Sequence, residues 1–224
     1  MKRVAIIVAG GIGKRMDSQL PKQFLKINSE IILIKTIRTF HAFDGDMDIV
    51  VGLPDREIPS WEKLCTNENF RIPHKVIAGG ETRFQTVKNA LQAITSPSII
   101  AIHDGVRPLV SQRTIRQAFE KAEISGNAIP VADIHESIRR ITDSENKAVP
   151  RAHYKIVQTP QVFHSDLLLH AYRQDYDPDF TDDASVVEKT GVQINTVKGN
   201  PENIKITTKK DLAVAETLLQ FLEK

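Results

Sequence analysis

Five consecutive apolar residues, at positions 4–8, are followed almost at once by a glycine pair at positions 10 and 11. A strand with one face in water alternates apolar and polar residues, whereas a strand covered on both faces is apolar throughout. Residues 4–8 therefore predict a central strand in a sheet that has helices on both sides. The run is far shorter than the roughly 20 residues of a membrane span. No cleavage site of small residues follows it, so neither a transmembrane helix nor a signal peptide is predicted.

Apolar runs of strand length alternate with helical patterns along the chain, as in proteins built from βαβ units. The predicted strands are residues 4–8, 48–53, 75–78, 99–103, 128–131 and 193–197, with a short one near 204–207. The predicted helices are residues 31–42, 83–94, 112–125, 166–176, 182–190 and 209–222. The residues expected to cap helices are Ser111, Ser165, Thr181 and Thr208. The pattern predicts an α/β fold with a mainly parallel Rossmann-like sheet, in a single domain spanning residues 1–224.

Residues 133–155 interrupt this pattern with two polar, loosely alternating segments joined by a turn-rich hexapeptide at 142–147. We predict a protruding β-hairpin, called the arm below, with too few apolar residues to bury itself. A second copy of the chain is the economical partner for such an arm. A surface loop is the alternative that composition leaves open.

Charge and cysteine content narrow the possible functions. The chain has 30 Lys and Arg against 28 Asp and Glu, so it lacks the basic excess typical of nucleic-acid binding. Cys65 is the sole cysteine, which excludes an intrachain disulfide and a thiolate metal cluster. The seven histidines show no zinc-ligand spacing. We expect a cytoplasmic protein that binds neither nucleic acid nor a membrane.

The strongest local motif is the glycine-rich, basic segment 9–16, with Pro21-Lys22-Gln23 just beyond it. Glycines let backbone N–H groups turn toward phosphate oxygens, so the segment suits an anion. Arg15 stands where a Walker A loop needs Ser or Thr, and Met16 stands where a dinucleotide fingerprint needs a small residue. A tight basic turn without a ligand is the alternative.

A second motif, His103-Asp104-Gly105-Val106-Arg107-Pro108, ends a predicted strand at the same edge of the sheet. Ligands of open α/β sheets bind at the carboxyl ends of strands. A carboxylate beside a triphosphate is repelled unless a divalent cation lies between them, so Asp104 is a candidate ligand or holder of Mg²⁺. The alternatives are that Asp104 caps the following turn or pairs with Arg107.

Weaker motifs follow along the chain. Gly79-Gly80 opens a helix whose N-terminus could hold an anion or a base, although such a pair is often only a turn. Gln158-Thr159-Pro160-Gln161 is consistent with a polar loop, and Lys205 with a solvated lysine in an edge strand. Thr181-Asp182-Asp183-Ala184-Ser185 has the composition of an ordinary acidic helix start.

Taken together, these motifs resemble those of 2-C-methyl-D-erythritol 4-phosphate cytidylyltransferases, in order from residue 4 to about 215. They are Ala9-Gly10-Gly11-x-Gly13-x-Arg15-Met16, Pro21-Lys22-Gln23, Gly79-Gly80-x-x-Arg83, His103-Asp104-x-x-Arg107-Pro108, Thr159-Pro160-Gln161, Thr181-Asp182-Asp183-Ala184-Ser185 and Asn203-Ile204-Lys205-Ile206-Thr207. Two departures concern Gln85-Thr86, where the family often has Ser second, and Ile134-His135, which lengthen the arm. The first affects base recognition and the second the polyol pocket.

The resemblance implies a nucleotidyltransferase fold and a homodimer that exchanges its arms. It also implies the reaction: the phosphate of methylerythritol phosphate attacks the α-phosphorus of CTP in line, with Mg²⁺ as cofactor, and pyrophosphate leaves. The implied catalytic residues are Arg15, Lys22, Arg151 and Lys205. The implied CTP-binding residues are Ala9, Gly10, Gly11, Gly13, Gly79, Gly80, Arg83, Thr86 and Asp104, of which Asp104 would hold the metal. The implied substrate-binding residues are Arg107, Ser137, Arg151, Thr159 and Lys205.

Two other functions stay open at this point. Ribitol-5-phosphate cytidylyltransferases share most of the nucleotide motifs, and only residues 181–185 favour methylerythritol phosphate as the substrate. A nucleotide-binding regulator without catalytic activity could also keep this fold. The presence of Arg15, Lys22, Asp104 and Lys205 argues against such a loss of catalysis.

Overall fold

The structure, a computed structural model, describes residues 1–10 and 20–222. The strands in these residues are β1 (Lys2–Val8), β2 (Lys26–Ile27), β3 (Glu30–Ile31), β4 (Asp48–Leu53), β5 (Lys75–Ala78), β6 (Ser98–Asp104), β7 (Asn127–Asp133), β8 (Ile138–Ile141), β9 (Asn146–Val149), β10 (Lys155–Val157), β11 (Gln161–His164) and β12 (Thr196–Lys198). The helices are α1 (Ile32–Phe43), α2 (Ile58–Asn67), α3 (Arg83–Leu91), α4 (Gln112–Ser125), α5 (Ser165–Ala171), α6 (Asp183–Glu188) and α7 (Lys209–Leu222). None of these helices is long and apolar enough to cross a membrane.

Strand β1 lies in the middle of the main sheet, as its apolar run predicts. It pairs in parallel with β4 on one side and β6 on the other. Along the sheet the order is β5, β4, β1, β6, β11, β7, with β12 beside β7. Strand β11 is antiparallel to both of its neighbours, and β10 continues its line along β7. The prediction of a mainly parallel sheet is therefore confirmed.

Helices cover both faces of the sheet because side chains of β1 alternate between two hydrophobic clusters. Ala5 and Ile7 pack with residues of α1, α2 and α4. Val4 and Ile6 pack with residues of α3, α5 and α6 on the opposite face. A third cluster joins α7 to Ile27 and Val106. Burial on both faces is the reason that the strand carries no polar alternation.

The structure differs from the predicted strands and helices in four places. The segment that includes Gln161 forms strand β11 instead of a loop, because Gln161 is buried and hydrogen-bonded to α6. Residues 204–207 are a loop, held by a hydrogen bond from the Ile206 N–H to the Val106 carbonyl. Helix α2 was not predicted, although Ile58, Trp61 and Cys65 recur at helical spacing and pack on one face against the core. The last strand, predicted at 193–197, lies at Thr196–Lys198.

The predicted helix caps divide into two pairs. Ser111 accepts a hydrogen bond from the Thr114 N–H, and Thr208 and Asp211 exchange bonds at the start of α7, as predicted. Thr181 and Ser165 are not caps. Asp182 caps α6 in a reciprocal arrangement with Ser185, and Ser165 lies inside α5, where its hydroxyl accepts from the Ser98 N–H.

The arm contains the predicted hairpin. Strands β8 and β9 pair antiparallel, from Ile138 opposite Val149 to Ile141 opposite Asn146. Most of its side chains are exposed, including 72% of Ile141. Within the described residues β8 and β9 pair with each other and not with the main sheet.

Candidate active site

A cavity of about 540 Å³ lies at the carboxyl ends of β1, β4, β5 and β6. This is the edge where open α/β sheets bind their ligands. The backbone at Ala9, Gly10 and Gly80 forms part of its wall. The charged side chains that line it are Lys22, Arg56, Glu81, Arg83, Asp104 and Lys205. Cations thus outnumber carboxylates, which suits a polyanionic ligand.

Glycines form one side of the cavity by packing against Thr86. A Cβ at Gly79 would lie 3.0 Å from the Thr86 Oγ1, and one at Gly52 would lie 2.6 Å from its methyl carbon. The Thr86 hydroxyl donates to the Thr82 carbonyl at 3.0 Å and accepts from the Gly80 N–H at 3.1 Å. Thr86 therefore holds the backbone of residues 79–80 and lies close to Gly10, where a Cβ would be 3.2 Å from its Oγ1, so larger residues would crowd it.

Lys22 lines the cavity and is positioned by its neighbour Gln23. Gln23 is buried, and its Nε2 donates to the Ala9 carbonyl at 2.8 Å. The Ala9 N–H in turn donates to the Gly52 carbonyl. This chain of hydrogen bonds fixes the turn that carries Lys22 against the end of β1. Gly11, Gly13 and Arg15, also predicted in the site, lie outside the described residues.

Asp104 is buried at the end of β6 with three cations around it. Its Oδ2 lies 3.0 Å from Arg107 Nε and 3.1 Å from Lys205 Nζ, and its Oδ1 lies 3.4 Å from Arg83 Nε. Burial alone would raise the pKa of Asp104, but the charges of Arg83, Lys205 and Arg107 outweigh it and hold the pKa well below its usual range. Asp104 therefore pairs with Arg107, as one alternative predicted, and it also lines the cavity.

Arg83 is held from the side away from Asp104. Its Nη1 and Nη2 donate to the two carboxylate oxygens of Asp183 at 2.8 and 2.7 Å. The hydroxyl of Tyr172 donates to the same carboxylate at 2.7 Å. Burial would lower the pKa of Arg83, but Asp183 and then Asp104 raise it, so the guanidinium stays charged. Sequence reasoning assigned Asp183 to a helix start and so did not predict this contact.

Thr159 lies behind Asp104 in a buried hydrogen-bonded group. The Nε2 of His103 donates to the Arg107 carbonyl at 3.0 Å, because a carbonyl can only accept. The Nδ1 of His103 is then an acceptor for the Thr159 hydroxyl at 2.9 Å. The same hydroxyl oxygen accepts from the Asp104 N–H at 3.1 Å. Burial lowers the pKa of His103 to about 4, so the ring is neutral.

Arg107 and Thr159 thus support Asp104 from behind, while the described wall of the cavity is formed by other residues. The Arg107 Nη1 also donates to the Asn203 carbonyl at 2.7 Å, and this bond holds the loop that carries Lys205. Direct contact of Arg107 or Thr159 with a substrate stays a prediction.

Ser137 and Arg151 lie on the arm, where both are exposed. The Arg151 guanidinium donates to the carbonyl of His135 within the same arm. Neither residue belongs to the described wall of the cavity. Their roles in substrate binding stay predictions.

Two charged residues of the described cavity wall were not predicted. Arg56 follows β4 at the rim and is 66% exposed, and Glu81 follows Gly80. A basic residue just after a buried strand was the signal for Arg56. The described residues hold no group of three or more His, Cys, Asp or Glu side chains that could bind a metal by itself.

Comparison with known proteins agrees with the motifs. A family model for 2-C-methyl-D-erythritol 4-phosphate cytidylyltransferase matches residues 3–221. The protein of that name from Bacteroides fragilis is 51% identical over 98% of this chain and 100% of its own length. The one from Bacillus thuringiensis is 36% identical over 98% of each chain. The crystal structure of the Thermus thermophilus protein of that name has a TM-score of 0.80 at 30% identity, covering 98% of this chain and 100% of that one. The chain belongs to the 2-C-methyl-D-erythritol 4-phosphate cytidylyltransferase family.

Proposed function

We propose that the cavity binds CTP and 2-C-methyl-D-erythritol 4-phosphate and transfers the cytidylyl group between them, with release of pyrophosphate. The proposal rests on a cationic cavity with glycines in its wall, in a chain whose residues 3–221 match the family model. The same match favours methylerythritol phosphate over ribitol phosphate, and an enzyme over a regulator without activity.

The chemistry needs positioned charge rather than a general base. An oxygen of the substrate phosphate, already ionised at neutral pH, forms a bond to the α-phosphorus of CTP. The bond from that phosphorus to the bridging oxygen of pyrophosphate breaks, and its electron pair leaves with pyrophosphate. The barrier comes from crowding negative charge, so preorganised cations lower it. We assign this role to Lys22 and Lys205, which line the cavity, and to Arg15.

Cytosine specificity is assigned to the backbone around the glycines. The 4-amino group of cytosine donates two hydrogen bonds, and carbonyls of residues 9–10 and 79–80 are acceptors. The Ala9 carbonyl already accepts from Gln23 but has a second lone pair. Uracil has the carbonyl oxygen O4 in place of the amino group, so the backbone carbonyls would face another acceptor and lose their hydrogen bonds.

Magnesium fits the residues present, with Asp104 as the protein group that would hold it. Mg²⁺ commonly binds through one or two carboxylates together with substrate phosphates and water. When bound it neutralises the triphosphate and favours the leaving group. Lys205, which is 42% exposed, is the partner of Asp104 that is best placed to turn toward a phosphate.

We assign residues 1–224 to one domain and residues 133–155 to dimerisation. Exposed Arg151 and Ser137 would then enter the cavity of a second copy and bind the methylerythritol phosphate there, with Arg151 on the phosphate and Ser137 near the polyol. We also propose a cytoplasmic location.

The function is tested by pyrophosphate release from CTP and from UTP, each with methylerythritol phosphate and with ribitol 5-phosphate. We expect turnover with CTP and methylerythritol phosphate, and a rate with UTP lower by about 100-fold or more, since unpaired buried polar groups penalise the wrong base strongly. Equal use of CTP and UTP would contradict the assigned base contacts. Preference for ribitol phosphate would contradict the proposed substrate.

The shared site is tested by mixing two inactive variants. Lys22→Ala and Arg151→Ala should each lower turnover by about 100-fold or more, because each removes a preorganised cation. In a heterodimer with exchanged arms, one site regains both Lys22 and Arg151, so activity should rise well above either parent. Heterodimers that form without this recovery would show that Arg151 serves its own subunit.

A further inference from the structure

We infer that Asp183 is a positioning residue for cytidylyl transfer, which acts by fixing the Arg83 guanidinium between itself and Asp104. The inference rests on the proposed function of the cavity. It gives a role to Asp183, whose side chain is not needed to cap helix α6 because Asp182 does so.

The helix start is already complete without the Asp183 side chain. Asp182 accepts a hydrogen bond from the Ser185 N–H at 2.9 Å, and Ser185 returns a bond to the Asp182 backbone. Asp183, the next residue, is 0% exposed. A carboxylate is costly to bury unless it is paired and hydrogen-bonded, so its place in the interior calls for a specific partner.

That partner is Arg83, 100 residues earlier in the chain. Both Asp183 oxygens accept from Arg83, at 2.7 and 2.8 Å, in the bidentate arrangement that fixes the plane of a guanidinium. Tyr172 supplies a further bond to Asp183 and stacks on Phe84, the neighbour of Arg83 in α3. The anchor is therefore itself held in place from two sides.

The third nitrogen of Arg83, Nε, links this ion pair to Asp104 at the cavity. With Nη1 and Nη2 on Asp183, Nε faces Asp104 Oδ1 at 3.4 Å. Each Nη keeps one more hydrogen, and the side chain, a quarter exposed, lines the cavity. Asp183 thus sets the direction of donors toward both Asp104 and a bound polyanion.

The test compares Asp183→Asn with Asp182→Asn. The amide introduced by Asp183→Asn would accept at one oxygen only, so Arg83 loses its bidentate anchor. We expect kcat to fall by about 10–100-fold, the range found when a group that orients a metal ligand is lost. The KM for CTP should not rise, because the loss of a negative charge makes the cavity more cationic. Asp182→Asn is the matched control, since Asn caps a helix as well as Asp does and Asp182 makes no bond to Arg83.

A purely structural role predicts a different result. It would lower the melting temperature of Asp183→Asn but leave kcat per folded molecule within about twofold of wild type, and that outcome would overturn the inference. Asp183→Glu, which keeps the carboxylate, should recover part of the lost kcat. In an Arg83→Lys background, Asp183→Asn should cost little more, since lysine cannot make the bidentate pair.

Tyr172→Phe decides the question if Asp183→Asn does not fold. It keeps the ring on Phe84 and removes the hydrogen bond to Asp183, so a lower kcat at unchanged KM supports the inference and an unchanged kcat overturns it. Wild-type enzyme that releases no pyrophosphate from CTP would overturn the proposed function itself. If the wild-type enzyme is active and Asp183→Asn has the same kcat, only the inference about Asp183 is overturned.

Discussion

The ion pairs of two parts of this molecule contrast: those of the cluster around Asp104 and those of the arm. In the cluster the carboxylates are enclosed: the side chains of Asp104 and Asp183 are 8% and 0% exposed. On the arm the partners face water, as with Arg140 and Glu145, which are 58% and 33% exposed. The chemical groups are alike, but the solvent around them is not.

The contrast shows how the two halves of the proposed site are held. Asp104, Asp183 and Arg83 each have more than one partner, and burial makes a lost partner expensive, so one chain fixes their positions. Arg151 on the arm is held through the His135 carbonyl in the same exposed element. The cluster is therefore organised by the chain itself, whereas Arg151 would act in the site of the second copy that we propose.

The largest effect should come from Asp104→Asn. It removes the counter-ion that three cations share, so turnover should fall by about 100-fold or more. The free energy of unfolding should fall by about 3–5 kcal/mol, because uncompensated buried charge remains. Urea unfolding and pyrophosphate release measure the two effects, and part of the activity should return at higher Mg²⁺.

The arm provides the control for this variant. Asp133→Asn removes a carboxylate that is 64% exposed and paired with Lys155. We expect little loss of stability, because water screens the charges of a surface pair. Full activity of Asp104→Asn with unchanged Mg²⁺ dependence would contradict a role in holding Mg²⁺ and leave Asp104 only its structural pairing with Arg107.

Sequence reasoning predicted the parts of this cluster that follow from local chemistry. An apolar run at residues 4–8 sets the central strand, and strand direction brings Asp104 to the edge that the glycines share. It missed Asp183 because nothing in an acidic dipeptide tells which carboxylate turns inward. The contact with Arg83 is long-range and depends on how α3 and α6 pack on the sheet.

The wrong predictions about strands also come from long-range contacts that the local sequence does not show. Strand β11 begins at Gln161, a polar residue that is buried because its amide bonds Asp182 and the Ala184 N–H. Residues 204–207 have strand-like composition, yet their backbone is fixed by bonds to the loop at Val106 and by Asp211. In both cases tertiary hydrogen bonds outweigh local propensity.

A second prediction uses pH to separate the two regions. Burial lowers the pKa of His103 from 6.5 to about 4, so the folded state favours the neutral ring. This stability is present above pH 6.5 and is lost as the pH falls toward 4. Between pH 7 and pH 5 the free energy of unfolding should drop by about 2 kcal/mol from this group.

Urea unfolding at several pH values, with wild type, His103→Gln and His153→Gln, measures this effect. His103→Gln should flatten the dependence between pH 7 and pH 5. His153→Gln changes an exposed residue of the arm and leaves His103 in place, so it should keep the wild-type slope. A slope that survives in His103→Gln would assign the pH dependence to another group.

The smallest effect is expected from Glu145→Gln on the arm. Arg140 Nε donates to Glu145 Oε2 at 2.9 Å, a distance as short as those in the cluster. Short distance in an exposed pair contributes little, because water screens both charges and ordering two side chains costs entropy. The free energy of unfolding should change by less than about 0.5 kcal/mol, less still at high salt. The kcat should equal that of wild type. A loss comparable to that of Asp104→Asn would mean that the arm pair is buried in the working enzyme, and then a second copy must cover the turn of the hairpin as well as Arg151.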